Sequence, residues 1–177
     1  MDAKKTIMQF IKPNLIPVII MLVIPPITII GLIVLLVATL PAQSRAKKCI
    51  AKLEADGELE KAAAELMSDN KKTFIKGKLV LTENYIFSKE MGFAIKYSDI
   101  LWTYWYKHTQ SVLLIPIVVT NYIYFATKEK NPRPLVSMGR DKTGEIQNAI
   151  VAIHAHNNKC LVGYSKENAK LYKELKK

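Results

Sequence analysis

Cysteine is nearly absent: Cys49 and Cys160 are the only two, and they match neither a zinc spacing nor a redox spacing. That excludes a disulfide framework and a cysteine metal centre, and leaves either one disulfide or two lone thiols. Lone thiols are the simpler reading, and they lean towards a reducing interior. The seven glycines are scattered, so no phosphate-cradling loop exists, and no GxSxG, P-loop or HExxH motif occurs. Histidine numbers three, His108, His154 and His156. The last two stand two apart on a predicted helix and point about 200° away from each other, so they do not chelate one ion together. With no catalytic constellation and no cofactor motif, the chain reads as non-enzymatic and free of cofactors and bound metal. No helical unit recurs, which excludes a repeat array.

Long apolar runs are also missing, with one exception. Leu15–Leu40 has no charge over 26 residues, and its only polar side chains are Thr28 and Thr39. As one helix it extends roughly 39 Å, enough to cross a ~30 Å hydrocarbon core with tilt. A cleaved signal peptide fits worse, because the core is too long and Leu40 occupies the −3 place of the candidate site. A hairpin bent at Pro25–Pro26 has legs reaching only roughly 15 and 21 Å, too short for two crossings. The preferred reading is a single transmembrane helix over 15–40, kinked at Pro25–Pro26. Residues 1–14 then form an amphipathic tail with Ile7, Met8, Phe10 and Ile11 on the membrane. Basic flanks favour the carboxyl side by one residue, which places the following domain in the cytoplasm at the cell membrane.

Acidic residues are few: 15 against 26 Lys+Arg, for a net charge of +11. Residues 41–177 alone hold 23 Lys+Arg and 14 Asp+Glu. Beside a bilayer, such a domain is expected to meet anionic lipid headgroups, at about 1 kcal/mol per basic residue close to the surface. Nucleic acid is not expected, because the lysines are dispersed and no recognition motif accompanies them. Arg45, Lys47, Lys48 and Lys52 form the densest basic group and are the candidates for membrane-surface contact. The simpler reading of the same four is a flank that fixes the end of the span.

Beyond Pro41 the periodicity predicts a juxtamembrane helical hairpin over 44–70, broken at Asp56–Gly57. From 71 it switches to period two, and short strands follow to 138 with a turn at Glu83–Asn84. Val112–Ile115 and Val118–Thr127 belong to this strand series, and the apolar Val112–Val119, with Pro116 inside it, is too short to span a bilayer and reads as a buried strand. A helix after Asp141 carries Ile146, Ala149, Ile150 and Ile153 on one face and completes a β domain over 71–158. A tail over 159–177 ends in a helix capped by Ser165. Alternation in Asp99–His108 sets Trp102, Tyr104 and Tyr106 on one face and Thr103, Trp105 and Lys107 on the other. The first face reads as core, and Trp105 with Lys107 as the candidate partner contact.

The runs Leu81–Phe87, Asp99–Lys107 and Gly163–Tyr172, behind the Leu53–Leu66 helical pair, resemble a family of uncharacterised bacterial membrane-anchored proteins. The first two also resemble the strand rhythm of bacterial pleckstrin-homology-like, GRAM-type domains. The resemblance implies an α+β fold in which an antiparallel β-barrel or bent sheet is closed by a helix behind the transmembrane anchor. It carries over no catalytic residue, and the basic phosphoinositide signature of eukaryotic relatives is not visible here. The expected function is a membrane-anchored, non-catalytic binding or scaffold module whose partners are the lipid bilayer and a membrane protein. One alternative is a structural or regulatory subunit of a membrane complex that uses Gly31 in its span. The other is an enzyme subunit, which requires Asp99, His108 and Cys160 to converge.

Overall fold

Asp2 opens the first helix, α1 (Ala3–Ile11): its carboxylate accepts the backbone N–H groups of Lys4 and Lys5 at 3.0 and 3.3 Å. The structure, a computed structural model, describes residues 2–11, 43–112, 115–141 and 143–177. Helix α2 covers 43–55 and α3 is Leu59–Met67. Between them Gly57 takes φ +70°, a left-handed conformation that ends α2 without a Cβ penalty. Ala46, Ile50 and Leu53 on α2, and Ala62, Ala63 and Leu66 on α3, are buried at helical spacing.

Two four-stranded sheets follow. Sheet A is an antiparallel meander of β1 (Lys72–Phe74), β2 (Leu79–Leu81), β3 (Tyr85–Ser88) and β4 (Phe93–Lys96). A 3-10 turn at Tyr97–Asp99 then redirects the chain into sheet B. There β5 (Ile100–Val112) and β6 (Ile115–Thr127) form a long hairpin. It is joined by β7 (Arg133–Met138) beside β6 and by β8 (Leu161–Val162) parallel to β5. Helix α4 (Glu145–His156) precedes β8 and α5 (Lys166–Leu175) follows it. Ser165 caps α5, its hydroxyl accepting the Asn168 N–H at 3.0 Å.

The main core lies between the sheets and under α1–α4. Phe93 of sheet A meets Phe125 of sheet B edge-on, with ring centroids 5.1 Å apart. Helix α4 contributes Ile146, Ala149, Ile150 and Ile153, and the Ser88 hydroxyl donates to the Leu135 carbonyl across the sheets. A second, smaller cluster of Trp102, Tyr104, Ala126 and Tyr172 forms on the opposite face of sheet B, under α5.

The α+β class holds, but the expected closed barrel does not. Both sheets are open, because the 3-10 turn breaks the ladder between β4 and β5 and the outer neighbour of β5 is β8 rather than a strand of sheet A. The single-pass reading also fails. Leu15–Leu40 lies outside the described residues, and among the described residues no helix is long and apolar enough to cross a membrane. Moreover, one crossing would put residues before and after it on opposite sides. Instead α1 and α2 share one core, with Ile7 and Ile11 at 0% exposure, and Lys4 pairs with Glu54 at 3.0 Å. The apolar side of the amino-terminal segment therefore meets protein: Phe10 packs against the Phe87 ring at 6.4 Å. The membrane-anchored architecture and the cytoplasmic-face placement drawn from that span are corrected accordingly.

Candidate functional site

Register and alternation build the site. Tyr104 pairs with Tyr124, Tyr106 with Tyr122 and Trp102 with Ala126, so all six project from the same side of the β5–β6 hairpin. The intervening Thr103, Ile123 and Phe125 project to the other side and are buried. Sheet B is thus apolar on both faces, with the aliphatic core on one and an aromatic ladder on the other. Tyr104 and Tyr124 stack at 5.4 Å, and Trp102 lies 4.5 Å from Tyr104 and 5.6 Å from Tyr172.

Helix α5 covers only the Trp102 end. Its placement is fixed by hydrogen bonds: Trp102 Nε1 and Asn168 Nδ2 both donate to the Gly163 carbonyl, at 2.8 and 3.0 Å. The Tyr172 hydroxyl sits 3.2 Å from the Thr127 carbonyl and 3.1 Å from that of Lys130. Between α5 and the Asn131–Pro132 loop a groove of about 520 Å³ stays open, floored by Trp102, Ala169 and Tyr172 and rimmed by Lys173, Lys176 and Lys177. Beyond the helix Tyr106 is 46% and Tyr164 69% exposed, and Tyr164 stacks on Trp102 at 5.8 Å.

Tyr104, Tyr124 and Tyr172 are held as neutral phenols, their pKa values raised above the ordinary 10.0. Burial, then the neighbouring Tyr124, pushes Tyr104 up to about 12, and burial raises Tyr124 and Tyr172 as well. The groove therefore offers stacking surface, neutral hydroxyls and ammonium groups.

A second, smaller cleft of about 220 Å³ lies between α2, β4 and the β6–β7 loop. Two of its four lysines are already matched, while Lys48 is exposed and Lys130 lies 5.5 Å over the Phe93 ring. Lys52 pairs with Asp99 and Glu129, each at 3.3 Å, and Lys96 with Glu58 at 2.6 Å. Glu58 also accepts the Tyr85 hydroxyl, and the bonds from Lys96 and Tyr85 hold its carboxyl below the usual range. These pairs tie helix to sheet, and the lining balances its lysines with Asp56, Glu58, Asp99 and Glu129, so the larger aromatic groove with its lysine rim is the stronger candidate.

The four basic residues of α2 divide. Arg45 donates from Nε to the Met91 carbonyl at 2.9 Å and lies 5.6 Å over the Phe93 ring, while Lys52 is held by its two carboxylates. Lys47 and Lys48 stand exposed. Trp105 is 48% exposed at the margin of the core-facing side, its Nε1 donating to Asn121 Oδ1 at 2.9 Å, and Lys107 is exposed beyond it.

The residues of the enzymatic alternative do not converge. Asp99 is paired at the start of β5, and His108 stands roughly 30 Å along the same strand at ~3.3 Å per residue. Cys160 is buried, and burial pushes its thiol up to about 12. Among the described residues no three potential ligands group to hold a metal. Sequence reasoning passed over Tyr122, Tyr124 and Tyr164. The alternation in Asn121–Phe125 was the available signal, but only the register shows that it continues the Trp102–Tyr106 face.

The fold and this surface define a two-sheet α+β domain carrying a lysine-rimmed aromatic groove. No family model, no curated protein and no solved structure matches the chain.

Proposed function

We propose that this chain is a non-catalytic binding module whose contact surface is the outer face of sheet B, and that its partner is anionic with apolar or aromatic side chains. The single observation behind this reading is the partial cover of an aromatic sheet face. One helix shields Trp102, while the groove beside it, rimmed by lysines, and the tyrosines beyond it remain open. Antiparallel sheets normally solvate such a face with polar side chains. An aromatic face with charge at its edge has the composition of an interface core and rim. Lys173, Lys176 and Lys177 select against cationic partners and speed the approach of acidic ones.

The test is fluorescence anisotropy of two labelled peptides, one alternating glutamate with tyrosine and one alternating lysine with tyrosine. The acidic peptide is expected to bind and the basic one not. Lys173→Glu combined with Lys176→Glu is expected to weaken the acidic peptide about tenfold. Equal binding of both peptides, or binding indifferent to the double reversal, refutes the reading.

A further inference from the structure

Among the described residues, the edge of β5 has no strand paired to it over most of its length. Strand β8 pairs in parallel only with Trp102 and Thr103, and its last bond runs from the Gly163 N–H to the Thr103 carbonyl at 3.0 Å. From Trp102 to Gln110 the β5–β6 register is unbroken, so strand alternation fixes the backbone directions. Thr103 faces the β8 edge. Trp105, Lys107 and Thr109 therefore face the same way, and among the described residues no strand lies opposite them. The side chains from 105 to 110 are exposed, so the edge is not roofed over either. Folded proteins usually blunt such an edge by shortness, proline or several charges. Here the open stretch is long, rich in β-forming residues, and bears Lys107 as its one lysine.

We infer that this edge receives an extended acidic segment of a partner protein as an added strand, continuing the line of β8 beside β5. The inference rests on the proposed binding function and adds the way the partner is held. Backbone pairing supplies the affinity, and alternate side chains supply the selectivity. One set of partner side chains falls beside Tyr104 and Tyr106, on the face of sheet B that carries the aromatic ladder. The other falls beside Trp105 and Lys107. The charge of the partner follows from the sequence of the hairpin, since Ile100–Thr127 contains no Asp or Glu and carries Lys107 and His108. A second copy of the chain fits worse. Antiparallel self-pairing centred on Lys107 sets two ammonium groups opposite each other, and both copies carry +11.

The experiment is residue-resolved amide hydrogen exchange on the full chain, alone and saturated with an extended peptide alternating glutamate and valine. Exchange at Trp105, Lys107 and Thr109 is expected to slow at least tenfold, while Tyr104 and Tyr106, already bonded to β6, stay unchanged. The same peptide N-methylated at alternate residues along its bonding edge is expected to bind at least tenfold more weakly than the parent. Lys107→Glu is expected to weaken the parent peptide several-fold. Strand addition is overturned if the peptide binds without protecting the three amides, or binds equally well when N-methylated, and either result leaves the groove reading standing. It is also overturned if the three amides become protected by raising the protein concentration alone, which assigns the edge to a second copy. Absence of binding by any acidic peptide removes both proposals.

Discussion

Truncating Ile7 to alanine separates a core helix from one that merely lies on a surface. Ile7 is fully buried on α1, within one cluster that also holds Ile11, Ile50, Leu66 and Phe87. Cutting a buried isoleucine back to alanine removes its transfer free energy and leaves a cavity, together about 2–5 kcal/mol. Helix α1 is short, spanning Ala3–Ile11, so partial collapse is easier than in mid-core, and a loss of about 3 kcal/mol is expected. For a chain of this size about 1 kcal/mol moves the melting temperature by about 2–4 °C, so Ile7→Ala should lower it by about 6–12 °C. The assay is thermal and urea unfolding followed by tryptophan fluorescence and far-ultraviolet dichroism together, with Lys5→Ala as the exposed control on the same helix. Lys5→Ala is expected to stay within about 0.5 kcal/mol of the parent. A shift for Ile7→Ala no larger than that of the control would refute the packing of α1 into this core. It would also remove the reason for rejecting opposite-side placement of the two flanks.

Glu65 ties α3 to the turn between β2 and β3: its carboxylate accepts the Asn84 N–H at 2.9 Å, the Asn84 amide at 2.6 Å and the Thr82 hydroxyl at 2.7 Å. Burial alone would raise its pKa, but these bonds outweigh it and the net shift is downward from 4.5. A depressed carboxylate contributes stability that is present above its unfolded value and lost as pH falls through the folded one. Glu65→Ala should therefore cost about 2 kcal/mol at neutral pH, with the difference shrinking as pH falls below 4.5, read from urea midpoints across pH. Lys76 is held at φ +56° between Ile75 and Gly77, also left-handed. Replacing it with glycine relieves about 1–2 kcal/mol of strain against a smaller unfolded-state entropy cost, so the urea midpoint should rise by about 0.5–1 kcal/mol equivalent.

The local elements were legible because their causes are local. Asp56–Gly57 stops a helix, Ser165 caps one, and the stripe of Ile146, Ala149, Ile150 and Ile153 marks a buried face wherever that helix docks. What could not be read is which surface an apolar face meets. Ile7 and Ile11 suit lipid and protein equally well by periodicity, and only the fold decides for protein. The stretch around Pro116 was misread for a related reason. Val112–Val119, with Pro116 inside it, was read as a buried strand, whereas Val112 ends β5 and Ile115 begins β6 of one hairpin. Pro116 falls where the register shifts and where β7 no longer runs alongside, a position at which a missing N–H is tolerated. The candidate site was half legible. The Trp102–Tyr106 alternation showed an aromatic face, and the core assignment suited Trp102 and Tyr104 under α5. Tyr106 on the same face is nearly half exposed, because the cover comes from a helix 60 residues on in the chain whose length is not set by the strand it shields.

That mismatch of lengths is the physical reason to look for a partner at sheet B. The hairpin runs 13 residues on each strand, while β7 pairs only from Asn121 to Phe125 and β8 only at Trp102 and Thr103. At ~3.3 Å per residue its strands extend roughly 40 Å, whereas ten-residue α5 reaches about 15 Å. No rearrangement of so short a helix shields the whole ladder. The uncovered tyrosines and the unpaired backbone edge belong to the same overhang and arise from the same cause. An anionic ligand filling only the groove beside α5 would satisfy the lysine rim but leave that backbone edge unpaired. An extended chain laid along β5 fills that edge, with its side chains reaching the aromatic face and its amides meeting Trp105, Lys107 and Thr109.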